Sequence, residues 1–276
     1  MITPVMRAFA RAVWSQFHYR MLLLTLLPFL LSLLLWGLLL WQSLQLMIDA
    51  IQSYFVVHDS FGMIASALAS IGLGALKSVI VPLLAMWLLL PLVIVTALMF
   101  TGLLAMPAVV KHVSRRAYPA LEAREGGSNW GSVWNATVGL IGFLAMWLLS
   151  LPLTLIPMVG FVIQPLLWGW LTSRMMAYDA LATHADAAER KTILQAHRWP
   201  LLLIGVVTGA MGTAPMLLWL GGAFAVVLFP FLATLAIWLY VLVFVFTGLW
   251  FQHYCLDALA RFRAVTPAAA EIKDIN

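Results

Sequence analysis

Long uncharged apolar runs, separated by short charged blocks, set the plan of this chain. A helix crossing a bilayer needs about 20 predominantly apolar residues. Met21 to Trp41 meets that length, and Trp36 and Trp41 suit an aromatic belt at its far end. Leu44, Met47, Ile48, Ile51 and Phe55 continue an apolar stripe with Asp49 and Gln52 beside it, which predicts that the helix runs on beyond the bilayer or along it. His58, Asp59, Ser60 and Gly62 mark a turn. Residues 61–76 are rich in Ala, Ser and Gly, the composition of a closely packed helix face. Ser78 to Val110 carries no charge and predicts a second spanning helix, kinked at Pro82 and Pro91 and ending at Pro107.

Two further apolar runs are interrupted in their middles. No charge occurs from Asn129 to Ser173, yet Pro152, Pro157, Gly160 and Pro165 lie inside it. This predicts a bent membrane hairpin with arms near 131–151 and 158–173. Backbone that leaves the helical ladder at membrane depth must be buried in protein or face a wet cavity. Pro200 to Cys255 is a second such hairpin, interrupted by Pro215, Gly221, Gly222 and Pro230. Between the hairpins, Asp186-Ala-Ala-Glu189 has the spacing of a capping box opening a short helix that ends before Pro200.

At the N-terminus Val5, Phe9, Val13 and Phe17 recur at helical spacing, with Arg7 and Arg11 on another face. This predicts an amphipathic helix in the membrane interface over residues 1–20. Met21 to Trp41 exceeds a signal-peptide core of about 7–15 residues, and no small-x-small cleavage site follows, so it reads as a retained anchor.

Composition narrows the class. Hydrophobic residues make up 64% and charged residues 9%, against roughly 45–50% and about 25% in soluble domains. Mean hydropathy is +1.03. The chain reads as all-α, one polytopic integral membrane domain: two spanning helices over 21–110, a hairpin over 131–173, a cytoplasmic segment over 174–199, a second hairpin over 200–255 and a polar tail over 256–276. Cys255 is the single cysteine, which excludes an intramolecular disulfide and a cysteine metal cluster. The net charge of +5 is spread along membrane boundaries and forms no nucleic-acid patch.

Those boundaries carry the topology. The first 20 residues hold Arg7, Arg11 and Arg20; residues 111–125 hold Lys111, Arg115, Arg116 and Arg124; residues 174–198 hold Arg174, Arg190, Lys191 and Arg198; the tail holds Arg261, Arg263 and Lys273. Residues 42–77 hold only Lys77 against Asp49 and Asp59. Basic residues favour the cytoplasmic side. Both termini and both charged blocks are therefore expected there, with 42–77 opposite. Each hairpin leaves and returns on the cytoplasmic side, whether its arms span or penetrate part way.

Candidate chemistry is sparse. Zinc-protease, phosphate-loop and nucleophile-elbow motifs are absent, and the histidines are dispersed. His184 and Asp186 read as part of a solvated loop. Ionisable residues cluster at span ends, with no carboxylate relay within the apolar runs. Arg174 and Asp179 close the first hairpin and, five apart, do not stack on a helix. A path built from Arg, His, hydroxyls and backbone suits an anion. The turn Pro157-Met-Val-Gly160 would aim the N-terminus of the second arm at the middle of the fold, a geometry that favours negative charge.

Ile156-Pro157-x-x-Gly160-x-x-x-x-Pro165-x-x-Trp168, then Asp179, His184 and a basic helix, then Gly209 and Pro215, resembles the CysZ sulfate permease family, the bacterial branch of the etoposide-induced protein superfamily. Gln16, Arg20 and Pro28 match its first-helix entry and Pro107 its second-helix exit. The resemblance spans nearly the whole chain. It implies an inner-membrane helical protein with hairpins that penetrate part way, a homo-oligomer, and sulfate uptake. The family's sulfate-contacting entry has a Gly followed by Arg; here His18 holds the Gly position, Arg20 matches, and Met21 holds the second Arg position. The reading is thus a bacterial inner-membrane anion permease, not an enzyme, without cofactor, metal or catalytic residues. Arg20, His18 and Tyr19 would bind substrate, with Pro157, Gly160, Arg174 and Asp179 in structural or path roles. The alternative is a non-transporting scaffold or assembly protein of the same fold; a lipid-modifying enzyme would need a polar cluster in a cavity.

Overall fold

A computed structural model of the protein describes residues 2–57, 77–124, 129–154, 157–213, 215, 218 and 228–273. Among them there is no strand. The helices are α1 (Ile2–Gln16), α2 (Tyr19–Val57), α3 (Lys77–Phe100), a π-helical turn (Thr101–Ala105), α4 (Met106–Ala117), α5 (Asn129–Thr154), α6 (Pro157–Ala182), α7 (Ala187–Ala196), α8 (Arg198–Met211) and α9 (Phe229–Lys273). Four are long and apolar enough to cross a membrane, within 19–39, 87–117, 134–153 and 229–265.

The organising element is α9. It packs against α1, α2, α3, α4, α6, α7 and α8. Residues 245–256 are buried without interruption. A helix apolar on every side has no solvent face to offer and becomes core, and Phe251, Leu249 and Leu256 are closed off completely. The helix continues through the segment expected to be a polar tail, as far as Lys273. Its charges, Asp257, Arg261 and Arg263, keep it intact because each meets a partner.

The amphipathic stripe of α1 turns inward onto α9. Val5, Ala8, Ala12 and Gln16 are buried. Phe9 sits edge-on to Phe246 and Trp250, with ring centroids at 5.7 and 4.8 Å, and Trp250 Nε1 donates to the Val5 carbonyl at 3.2 Å. Protein therefore covers this apolar face, while Ile2, Met6 and Trp14 of the same helix stay exposed. Phe17, expected to extend the stripe, is exposed, because the chain turns at Phe17–His18 before α2 begins.

With 39 residues, α2 is about 58 Å long, well beyond a hydrocarbon core of about 30 Å. It crosses α3 where Ser32 donates to the Val93 carbonyl at 3.2 Å, inside a small core of Phe29, Val93, Ala97, Ile237 and Val241. Pro107 does not end the second apolar run. A proline in a helix lacks the N–H donor and its ring collides with the carbonyl four residues back. The wider π-helical turn over Thr101–Ala105, just before it, gives the room, and α4 carries the helix to Ala117.

The first hairpin is α5 and α6. Its tip, at 155–156, lies outside the described residues, as do the side chains of Pro157 and Gly160. Pro152 and Pro165 lie within helices. Because α6 reaches Ala182, Arg174 lies within the helix, and Asp179 in its last turn. It meets α8 backbone to backbone: a Cβ on Gly169 would come 2.6 Å from Val206 N, and one on Gly205 would overlap the Gly169 carbonyl. Such small residues drive close helix contacts in lipid. The fourteen residues of α8 give about 21 Å, short of a full crossing. The tip of the second hairpin, at 219–227, lies outside the described residues.

The capping box is formed. Asp186 accepts from Ala188 N and Glu189 N, both at 2.8 Å, and Asp186 N donates to Glu189 at 3.1 Å. Within the surrounding loop Thr183 is exposed, while His184 is buried. Arg263 explains this, donating to the His184 carbonyl at 2.6 Å, the Glu122 carbonyl at 2.8 Å and both Glu189 carboxylate oxygens at 2.9 and 2.8 Å.

Candidate functional site

Where α2 begins beside the end of α4, the surface opens into a cavity of about 630 Å³. His18, Tyr19 and Arg20 line it from one side; Lys111, His112, Arg115 and Arg116 line it from the other. Met21, almost completely buried, anchors this start of α2 in the main core. The position of α4 follows from the π-helical turn and from burial of Val109 and Val113.

His18 closes the first turn of α2. Its carbonyl accepts from Met21 N at 2.8 Å and Leu22 N at 3.1 Å, and its Nδ1 lies 3.4 Å from Arg20 N. These amides are consumed locally, so an anion here meets side chains more than bare backbone. Arg20 donates through Nε to Tyr19 Oη at 2.9 Å and lies over the Tyr19 ring at 5.6 Å, which sets the direction of its guanidinium. The His18 ring faces His112 at 5.2 Å between centroids.

No acidic residue lines the cavity among the described residues, and none of Arg20, Lys111, Arg115 and Arg116 is in an ion pair there. Lys111 and Arg115 are one helical turn apart, as are His112 and Arg116. Like charges at that spacing repel. Four fixed cations held together without a carboxylate form an anion-attracting field. Arginine forks can hold an oxyanion through charge-assisted hydrogen bonds at two oxygens at once. On the flanking elements, Gln16, His112 Nε2, Gln252 Nε2 and His253 Nδ1 are buried polar groups without a hydrogen-bond partner among the described residues.

His18, Tyr19 and Arg20, consecutive in the sequence, stay on one wall of the cavity. Lys111, His112, Arg115 and Arg116 form the other wall, although in the sequence their block signals only topology. The available signal was the (i, i+4) repeat of basic residues, usable only if the helix passes Pro107. Arg174 lies elsewhere, in a separate cavity, over the Trp170 ring at 5.6 Å. Asp179 is exposed on α6 with Ser132 as a hydrogen-bond partner. Among the described residues no group of three His, Cys, Asp or Glu is placed to hold a metal ion.

The profile of one protein family, described as Sulfate transporter CysZ/Etoposide-induced protein 2.4, matches residues 8–221, and the chain belongs to that family. The match takes in the whole cationic cavity and the first hairpin. No curated protein and no solved structure matches the chain.

Proposed function

We propose that this member of the sulfate transporter CysZ/etoposide-induced protein 2.4 family carries a small inorganic anion, sulfate, across a bacterial inner membrane. The observation that carries the reading is the cationic cavity at the start of α2. A sulfate ion keeps both charges at neutral pH, and arginine stays protonated there, so attraction between them does not depend on a proton. Arg20 and Arg116 bind the anion from facing walls, Lys111 and Arg115 add field, and Tyr19 orients Arg20. The distribution of basic residues favours cytoplasmic termini, which puts this cavity at the cytoplasmic mouth. A homo-oligomer belongs to the same reading, and light scattering of the purified protein checks it.

The test is radiolabelled sulfate uptake into proteoliposomes. Wild type should exceed empty liposomes, and Arg20→Ala and Arg116→Ala should each lose most of that excess. Wild-type uptake no higher than in empty liposomes, with insertion confirmed, overturns the reading and favours a scaffold of the same fold.

A further inference from the structure

A second basic cavity, of about 490 Å³, lies between α6 and the first turns of α8. Its walls are mostly apolar, with Leu201, Leu202 and the indoles of Trp170 and Trp199, and two guanidiniums enter it, Arg174 and Arg198. Each cation is steadied by an aromatic face: Arg174 lies 5.6 Å from the Trp170 ring centroid and Arg198 5.4 Å from that of Trp199. The stem of Arg174 crosses Gly139 of α5, where a Cβ would come 3.3 Å from Arg174 Cδ. Among the described residues neither arginine is in an ion pair.

Position in the chain says what surrounds this cavity. Arg174 is the first charged residue after the uncharged run that begins at Asn129, and Arg198 the last before the run from Pro200 to Cys255. Both therefore stand at one membrane boundary, with Trp199, 60% exposed, beside them. Tryptophan at that depth sits among lipid headgroups. Leu166, Trp168 and Leu203, on the same two helices, are exposed apolar side chains. A free inorganic ion gains nothing from such walls. A molecule with a phosphate and hydrocarbon tails satisfies both the cations and the apolar surface.

We infer that this cavity is a binding site for an anionic phospholipid, whose headgroup phosphate lies between Arg174 and Arg198 and whose acyl chains follow the apolar faces of α6 and α8. The bound lipid ties the first hairpin to the second at the membrane boundary. The site is distinct from the cavity at the start of α2.

Native mass spectrometry and thermal melting of the full chain in detergent test this, with phosphatidylglycerol, phosphatidylcholine or water-soluble glycerophosphoglycerol added. Phosphatidylglycerol should be retained and raise the melting temperature of wild type; the other two should do so much less. Arg174→Gln with Arg198→Gln should weaken phosphatidylglycerol binding about tenfold or more, while Lys191→Gln, one surface charge outside the cavity, should leave it unchanged. Arg174→Gln alone keeps the Arg198 charge and should give a smaller loss of the same sign; it carries the test if the double variant does not fold. Equal retention of phosphatidylcholine, an undiminished response in the arginine variants, or full competition by glycerophosphoglycerol overturns the proposal.

Discussion

Two groups of basic side chains in this protein have opposite company. Arg263 and Arg124 close around Glu189, at 2.8 and 3.1 Å, in a site where the Glu189 and Arg263 side chains are only 9% and 17% exposed. Arg20, Lys111, Arg115 and Arg116 stand around an open cavity with no described carboxylate. The closed group joins the end of α9 to the 119–124 loop and the start of α7. Glu189 and Arg263 are largely shut off from water, so each gains from the other's neutralising charge. The open group keeps its charges unneutralised, at a cost in mutual repulsion that a bound anion would relieve. Pairing marks a structural use of charge; its absence is the feature on which the proposed binding site rests.

The largest effect should come from breaking the closed group. Glu189→Ala leaves the largely enclosed Arg263 without its counter-ion and should cost about 1–3 kcal/mol, seen as a fall in melting temperature of the detergent-solubilised protein. A fall of less than about 1 kcal/mol would remove the distinction between the groups. Breaking the open group should do the reverse: Arg20→Ala or Arg116→Ala should reduce sulfate uptake by roughly tenfold or more and leave melting almost unchanged.

Acidity should separate the groups as well. Burial lowers the His184 pKa below its ordinary 6.5, with Arg263 adding to the shift. The unfolded chain then binds more protons, so stability falls as pH drops through about 6.5. The hydrogen bond from Arg263 is the main cause of a lowered Glu189 pKa, so that contribution is present above about 4.5 and is lost at lower pH. Melting temperature against pH should slope downward on acidification, and His184→Gln should flatten the upper part. The smallest expected effect is that of salt. Screening should relieve the repulsion between Lys111 and Arg115 by about 0.2–0.5 kcal/mol, and Lys111→Gln should abolish that gain in melting measured at low and moderate ionic strength.

What the residues disclose without a fold follows the range of each interaction. The Asp186–Glu189 capping box was legible because all its partners lie within four residues. Arg20 stands out only through the resemblance to the family's first-helix entry, because an arginine at a helix end otherwise reads as snorkelling to the interface. The other wall of its cavity needs residues some ninety positions away, and depends on whether a helix survives Pro107. His184 looked solvated because the residue that buries it, Arg263, belongs to a segment that looked like a tail. The dominance of α9 was hidden for the same reason: an evenly apolar run shows that a helix is immersed, but not whether lipid or protein immerses it.

The π-helical turn before Pro107 has one more consequence, for angular phase. Each residue advances a helix by about 100°, so the extra residue held in Thr101–Ala105 dials the whole of α4 around its axis relative to α3. Were the same residues wound as an unbroken α-helix, Lys111, Arg115 and Arg116 would swing together by about 100° away from Arg20, with every side chain still present. The charge of the cavity is written in the side chains, but its aim is written in five residues of backbone that bear no charge.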